Sequence, residues 1–350
     1  MTKMRVTWVS LEWPREGHHS GGVGRYAARL AARVQELVDL TVITYAGAAP
    51  VPGVELVTIP PAGSRVERYY TSAWRAARAL PATRPDVVHA HGDDFLLRTS
   101  APIVRSFYGT SWGEAKSSTG LRKANHVVLA GAELWSAKRA QLRLGIAPES
   151  LEMFRCQHVF PPYLRQQRTT GGTKGAEPVV VFIGSFRGRK RGWMVQEAVE
   201  ALRAEDDRVR LVVIGPADDA ASWSPWVEHR AGLADSQVAD VLGSAWVLAS
   251  PSEYEGFGIP VLEGIDHGLR VVASSNPGSQ YLQSRAEPGV PLDVVEDEAF
   301  GASLGRAVAR GPVKSRPERE AGGRLVSDMA ADGSPERLLS IYQEALRAAR

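Results

Sequence analysis

The chain has 350 residues, 44% hydrophobic and 23% charged, the balance of a folded soluble protein, which excludes global disorder. Its formal charge is +3, from 42 Lys and Arg against 39 Asp and Glu, with no long basic stripe, so nucleic acid is not an expected partner. The single cysteine, Cys156, excludes an intrachain disulfide and a cysteine zinc site; it reads as a small buried residue in a reducing cytoplasm.

The N-terminus lacks the apolar core of a signal peptide, and the longest apolar runs are strand-length, so no transmembrane segment is expected. Peripheral membrane contact is left open. In chain order, Arg5 to Ser10 reads as a buried strand and Gly22 to Val38 as a helix with Leu30, Val34, Leu37 and Val38 on one face. Strands follow at Leu40 to Thr44 and Glu55 to Ile59, then a helix at Ser72 to Leu80. Further strands are read at Asp86 to Ala90, Pro102 to Phe107 and His126 to Leu129. A polar Gly/Thr-rich stretch around Gln166 to Thr173 breaks the pattern and reads as a linker. A second alternation runs from the strand Val179 to Ile183 to the strand Val271 to Ala273. Between them lie strands at Val209 to Ile214 and Trp246 to Ala249 and helices at Trp193 to Arg203, Asp235 to Leu242 and Ile259 to His267. A terminal helix starts near Ser334, with Pro335 in its first turn. Alternating strands and helices with continuous apolar strands predict an α/β chain of two parallel sheets, each covered on both faces. Ligands of such folds sit beyond the carboxyl ends of the strands.

Three motifs fall at those ends. The densest runs from Ser252 to Glu263. Glu255 and Glu263 are separated by seven residues, with Gly256, Phe257 and Gly258 forming a loop of exposed amides and Pro260 opening a helix. Amides at a helix N-terminus hold phosphate or sugar oxygens, and carboxylates accept paired bonds from vicinal hydroxyls. If the helix starts near Phe257, Glu263 lies about two turns in. The second motif follows the strand Val179 to Ile183: Gly184 ends it, and Arg187, Arg189, Lys190 and Arg191 follow at once. Positive charge there suits a diphosphate and its departure as a leaving group. The third is Gly21-Gly22-Val23-Gly24, between the first strand and first helix; it lacks the dinucleotide pattern G-x-G-x-x-G. His89 and His91 alternate on one strand and share a face, but no metal-binding spacing completes a set with them.

The Glu255–Glu263 segment resembles the E-x7-E segment of the retaining glycosyltransferases of family four, also called group 1. The resemblance implies a GT-B fold: two Rossmann-like domains facing each other across a cleft. Domain limits are read as 1–165 for the acceptor-binding half, 166–177 for the linker, 178–330 for the nucleotide-sugar half, and 334–350 for a helix packing back on the first half. It implies donor contacts from Gly22, Gly184, Arg187, Arg189, Lys190, Glu255, Gly256, Phe257, Gly258 and Glu263. Glu255, Lys190, Tyr108 and His91 are the expected catalytic set, and His18, His19 and Asp93 the expected acceptor contacts. Gly188 to Gly192 matches the G-R-K-R-G variant of the family's diphosphate clamp, with Ser185 where an arginine is usual. Tyr108 stands where the family usually carries a histidine, and Cys156 to Val159 replaces a common N-G-V-D turn.

The resemblance therefore implies a hexosyltransferase that moves sugar from a nucleoside-diphosphate donor, UDP- or GDP-linked, to an acceptor hydroxyl with retention. The acceptor would be a small molecule, natural product or cell-envelope glycan. No cofactor is expected, and the absence of any D-x-D triplet predicts metal-free diphosphate binding. The alternatives are a non-catalytic nucleotide-sugar-binding partner subunit, which Tyr108 keeps open, and a Rossmann-type dehydrogenase, against which the missing dinucleotide pattern weighs.

Overall fold

A computed structural model describes residues 3–15, 22–64, 66–116, 120–162 and 174–349. In chain order the elements are β1 Arg5–Val9, α1 Gly22–Val34, β2 Asp39–Tyr45, β3 Glu55–Ile59, α2 Ser72–Thr83, β4 Val87–Ala90, β5 Ile103–Phe107, α3 Ser111–Lys116, α4 Gly120–Arg139, β6 Leu142–Gly145, α5 Pro148–Phe154 and β7 His158–Val159. There follow β8 Val179–Ile183, α6 Gly192–Glu205, β9 Arg210–Ile214, β10 Glu228–Arg230, α7 Asp235–Ser244, β11 Val247–Ser250, α8 Ile259–Asp266, β12 Arg270–Ser274, α9 Pro277–Arg285, β13 Leu292–Val295, α10 Asp297–Ala309, α11 Arg316–Asp332 and α12 Pro335–Ala348.

The chain forms two compact units, Met1–Leu164 with Ala330–Arg350, and Arg165–Met329. Unit 1 holds a seven-stranded parallel sheet of order β3-β2-β1-β4-β5-β6-β7. Its strands are apolar on both faces because both are covered. One face packs Val6, Trp8 and Val42 against Leu30, Ala31 and Val34 of α1 and Leu338, Ile341 and Tyr342 of α12. The other packs Val9, Ile43 and Val88 against Ala76 and Leu80 of α2. Ser334 caps α12, its side chain accepting from the Arg337 amide, with Pro335 in the first turn.

Unit 2 holds a six-stranded parallel sheet of order β10-β9-β8-β11-β12-β13. Val180, Phe182, Leu211 and Val247 on one face meet Val195 and Val199 of α6 and Phe300 and Leu304 of α10. On the other face α8 comes so near that a Cβ on its Gly264 would stand 3.0 Å from Leu248 and 3.1 Å from Val271.

Three expectations need correction. The helix expected to reach Val38 ends at Val34. His126 to Leu129, expected as a strand, lies inside α4. The strands on either side, β5 and β6, pair in parallel, and parallel neighbours require a crossover, here α3 and α4. The β-branched pair Val127 and Val128 yields to that demand. Helix α8 starts at Ile259, so Glu263 is its fifth residue, about one turn in rather than two. Of the expected linker 166–177, residues through 173 lie outside the described ones. Lys174 and Gly175 are bonded into unit 2, the lysine donating to the carbonyls of Leu242 at 3.3 Å and His267 at 2.9 Å.

Candidate active site

In unit 2 the chain leaves β8 toward β9 on one side, while β11 pairs with β8 on the other. The strand order reverses there, which opens a crevice at the carboxyl edge. Gly184 leaves β8 and its amide donates to the Ile214 carbonyl at 3.0 Å. A turn of 3-10 helix, Gly188–Lys190, then carries the basic residues. The segment after β11 meets it: the Glu253 amide donates to the Arg189 carbonyl at 2.8 Å. Lys190 Nζ lies 2.5 Å from Glu255 Oε1 and the Arg189 guanidinium 3.1 Å from the same oxygen. Arg189 also donates to the Tyr254 carbonyl at 2.9 Å. Burial by itself would raise the Glu255 carboxyl; Lys190 and Arg189 outweigh it and hold the group below its ordinary value. The carboxylate is thus ionised and desolvated, beside two cations.

The four basic residues take different positions. Arg187 is exposed. Arg191 turns away from Glu255 and forms a paired bond with Asp297 at the start of α10, at 2.5 and 2.8 Å. Of the two arginines that sequence leaves open for the clamp, Arg189 is the one beside Lys190. In the glutamate loop, Phe257 is 3% exposed and its ring lies 6.2 Å from that of Tyr281, so the loop presents backbone, not this ring. Gly258 caps α8 at φ 90°, a left-handed conformation suited to glycine. Glu263 is half-buried on α8.

The support beneath this loop was not foreseen from sequence. Asn276 caps α9, accepting from the Ser279 amide and donating to the carbonyls of Ser252 at 2.9 Å and Ser274 at 3.1 Å. Gly278 donates its amide to the Glu255 carbonyl at 2.8 Å, and a Cβ there would come within 2.7 Å of the Phe257 backbone. Asn-Pro before a helix is a readable cap signal. The glycine's need for close approach has no sequence signal.

In unit 1 the expected residues collect beyond β4 and β5. His18, His19 and Gly21 lie outside the described residues. Gly22 opens α1, and Gly24 is pressed against the chain after β1, where a Cβ would overlap the Glu12 carbonyl oxygen at 1.6 Å. His89 is fully buried and structural. Trp8 Nε1–H donates to the Tyr342 hydroxyl at 2.9 Å, so that hydroxyl gives its proton to His89 Nδ1 at 2.7 Å. His89 then carries its proton on Nε2 and donates to Ser106 Oγ at 2.9 Å. The ring of His91 sits 4.2 Å from that of His89, and its Nδ1 is 2.6 Å from the Tyr108 hydroxyl. Its Nε2 is buried with no partner. Burial, aided by Arg105, pushes the His91 imidazole down to about 3, so it is neutral near pH 7. Burial likewise drives Tyr108 upward. Asp93 takes a left-handed conformation at φ 56°, and burial raises its carboxyl to about 7 against the opposing Arg105 and Arg68. Arg105 pairs with Asp94 at 3.0 Å. The described residues contain no cluster of side chains spaced to hold a metal ion.

Two family models match the chain. The model described as Glycosyltransferase Family 4 matches residues 20–162, and that of Glycosyl transferases group 1 matches residues 177–309. The D-inositol 3-phosphate glycosyltransferase of Segniliparus rotundus is 28% identical over 193 residues, which span 50% of this chain and 42% of that protein. Sucrose-phosphate synthase from Thermosynechococcus elongatus superposes with a TM-score of 0.77 at 15% identity, covering 99% of this chain and 100% of the other. Anabaena HepE in complex with UDP-glucose does so with a TM-score of 0.69 at 14% identity, over 99% and 100%. With residues 20–162 matched by one family model and 177–309 by the other, the chain belongs to the group 1 glycosyltransferases of GT-B fold.

Proposed function

We propose that the chain is a retaining, metal-independent hexosyltransferase that takes a nucleoside-diphosphate sugar, UDP- or GDP-linked, and transfers its sugar to an acceptor hydroxyl. The observation that carries this reading is the Lys190–Glu255–Arg189 cluster at the switch point of the unit 2 sheet. Lys190 and Arg189 receive the donor diphosphate and stabilise the charge that builds on it as the glycosidic bond breaks. Glu255, their counter-ion in the free protein, turns to the hydroxyls of the transferred sugar, and Glu263 accepts from the ribose. In a retaining transfer of the front-side type the leaving phosphate takes the acceptor's proton, so no protein base is needed. Unit 1 supplies hydrogen bonds to substrate hydroxyls through His91 Nε2 and Tyr108, with Asp93 as an acceptor contact. The HepE structure is a complex with UDP-glucose, which favours a uridine donor here.

Calorimetry with UDP and GDP on wild type and Lys190→Ala tests the cluster. The expected result is binding of one nucleotide by wild type and a loss of about 1.5–3 kcal/mol in the variant, the scale of a hydrogen bond to a charged group. Equal affinities would place the diphosphate elsewhere. Turnover with retained anomeric configuration by NMR, persisting in EDTA, completes the reading. A strict requirement for magnesium or manganese would remove its metal-free part. Nucleotide binding without turnover of any donor would favour the partner-subunit alternative.

A further inference from the structure

The large apolar side chains left in water are unevenly placed. Among the described residues, eight of the nine such groups belong to unit 1, between Val66 and Trp135, and one, Trp193, to unit 2. Five lie on the paired helices α3 and α4: Trp112 (46% exposed), Val127 (45%), Val128 (56%), Leu134 (47%) and Trp135 (57%). On α4 the exposed positions Lys123, Ala124, Val127, Val128, Gly131, Leu134, Trp135 and Lys138 follow helical spacing. They form one stripe, apolar in the middle and cationic at both ends. Among the described side chains of these helices the carboxylate, Glu133, is directed to Ser111, accepting from its amide at 3.0 Å and its hydroxyl at 2.7 Å. The surrounding sequence has the same bias: residues 61–140 carry twelve Lys and Arg against six Asp and Glu, whereas the whole chain carries 42 against 39.

We infer that this face of α4, with Trp112 of α3, docks on an anionic lipid bilayer, α4 lying in the interfacial plane. An apolar stripe that carries Trp135 one turn before its terminal lysine suits the boundary between headgroups and acyl chains, and lysines at its ends suit anionic headgroups. A second copy of the chain fits the same face less well. Two α4 helices paired antiparallel across a two-fold axis set Lys123 of each against Lys138 of the other, and no carboxylate on the stripe neutralises them. Helix α3 begins three residues after Tyr108, so the docked face continues from the unit 1 site and would bring that site to a bilayer surface. The inference stands on unit 1 alone and does not rest on the transfer reaction.

The test is sedimentation of the full chain with phosphatidylcholine vesicles, with and without phosphatidylglycerol, at low and high salt. Wild type is expected to bind the anionic vesicles, to bind neutral ones at least fivefold less, and to release as salt rises. Val128→Ser with Trp135→Ser, and separately Lys123→Glu with Lys138→Glu, are expected to reduce bound protein at least fivefold. Thermal midpoint and nucleotide binding should stay unchanged, because these side chains project into solvent. Three outcomes would overturn the inference: no binding of wild type to anionic vesicles at low salt, equal binding by the Ser variant, or a wild-type dimer in solution that the Ser variant dissociates. The last would assign the face to a second copy.

Discussion

At the scale of single residues, the chemistry depends on where charge is ionised and where it is suppressed. Glu255 stays charged because Lys190 and Arg189 offset its burial. Glu255→Gln removes the charge but keeps the shape; it should lower turnover strongly while nucleoside diphosphate affinity rises or holds, since a competitor for the cations is gone. Paired kinetics and calorimetry check this. His91 shows the opposite case. Its folded pKa is depressed from 6.5 to about 3 by burial, so the native state refuses a proton that the unfolded chain accepts. The resulting stability is present above about pH 6.5 and is lost as pH falls toward 3, at up to about 1.4 kcal/mol per pH unit. Denaturant titrations between pH 7 and 5 should show His91→Gln losing less stability than wild type by roughly that slope. Tyr108→Phe deletes the hydroxyl 2.6 Å from His91 Nδ1. If that hydroxyl positions His91 or touches sugar, kcat/KM should fall about tenfold or more; wild-type kinetics would remove Tyr108 from the site.

Elements act by holding loops that have little structure of their own. The glutamate loop rests on the N-terminus of α9 through Asn276 and Gly278. Asn276→Ala removes the cap and two further bonds and should cost unit 2 about 0.5–2 kcal/mol by the cap alone. Gly278→Ala should do more to function than to stability, because its Cβ would push on the backbone of Phe257 and displace Glu255. Weakened donor binding with a modest shift in melting temperature is the expected pattern. Helix α4 shows an element whose identity local preference misreads. His126 to Leu129 has strand-forming residues, yet the parallel pairing of β5 and β6 requires a crossover at that point in the chain.

For the whole molecule, the end of the chain is part of the first unit's core. Leu338, Ile341, Tyr342 and Ala345 of α12 pack with Val6 and Trp8 of β1, and Tyr342 closes the hydrogen-bond chain through His89 to Ser106. Tyr342→Phe leaves Trp8 Nε1–H and His89 Nδ1 unpartnered in the interior, at about 1–3 kcal/mol. Truncation before Ser334 removes four core side chains and should exceed the margin of about 5–15 kcal/mol on which a domain stands. Limited proteolysis should then digest unit 1 while unit 2 remains protected.

Much of the architecture was legible because strand and helix periods are local properties. Two parallel sheets, the positions of β8 and β11, and the motifs at their carboxyl ends follow from apolar runs, glycines and charges read in order. The glutamate spacing and the basic run were legible as a family pattern. Contacts between segments distant in sequence were not. That Lys190 and Arg189, not Arg191, face Glu255 depends on a left-handed turn at Arg191, φ 51°, and on Asp297, 106 residues away. That His89 is structural while His91 has an unpartnered nitrogen depends on Tyr342, 253 residues beyond His89. The exposure of Val127, Val128 and Trp135 likewise had no sequence signal, because an apolar stripe on a helix reads the same whether it faces the core or water. Local physics determined which elements form and where charge concentrates; tertiary packing decided which of those charges and apolar faces meet a partner within the fold and which are left for a ligand or a surface.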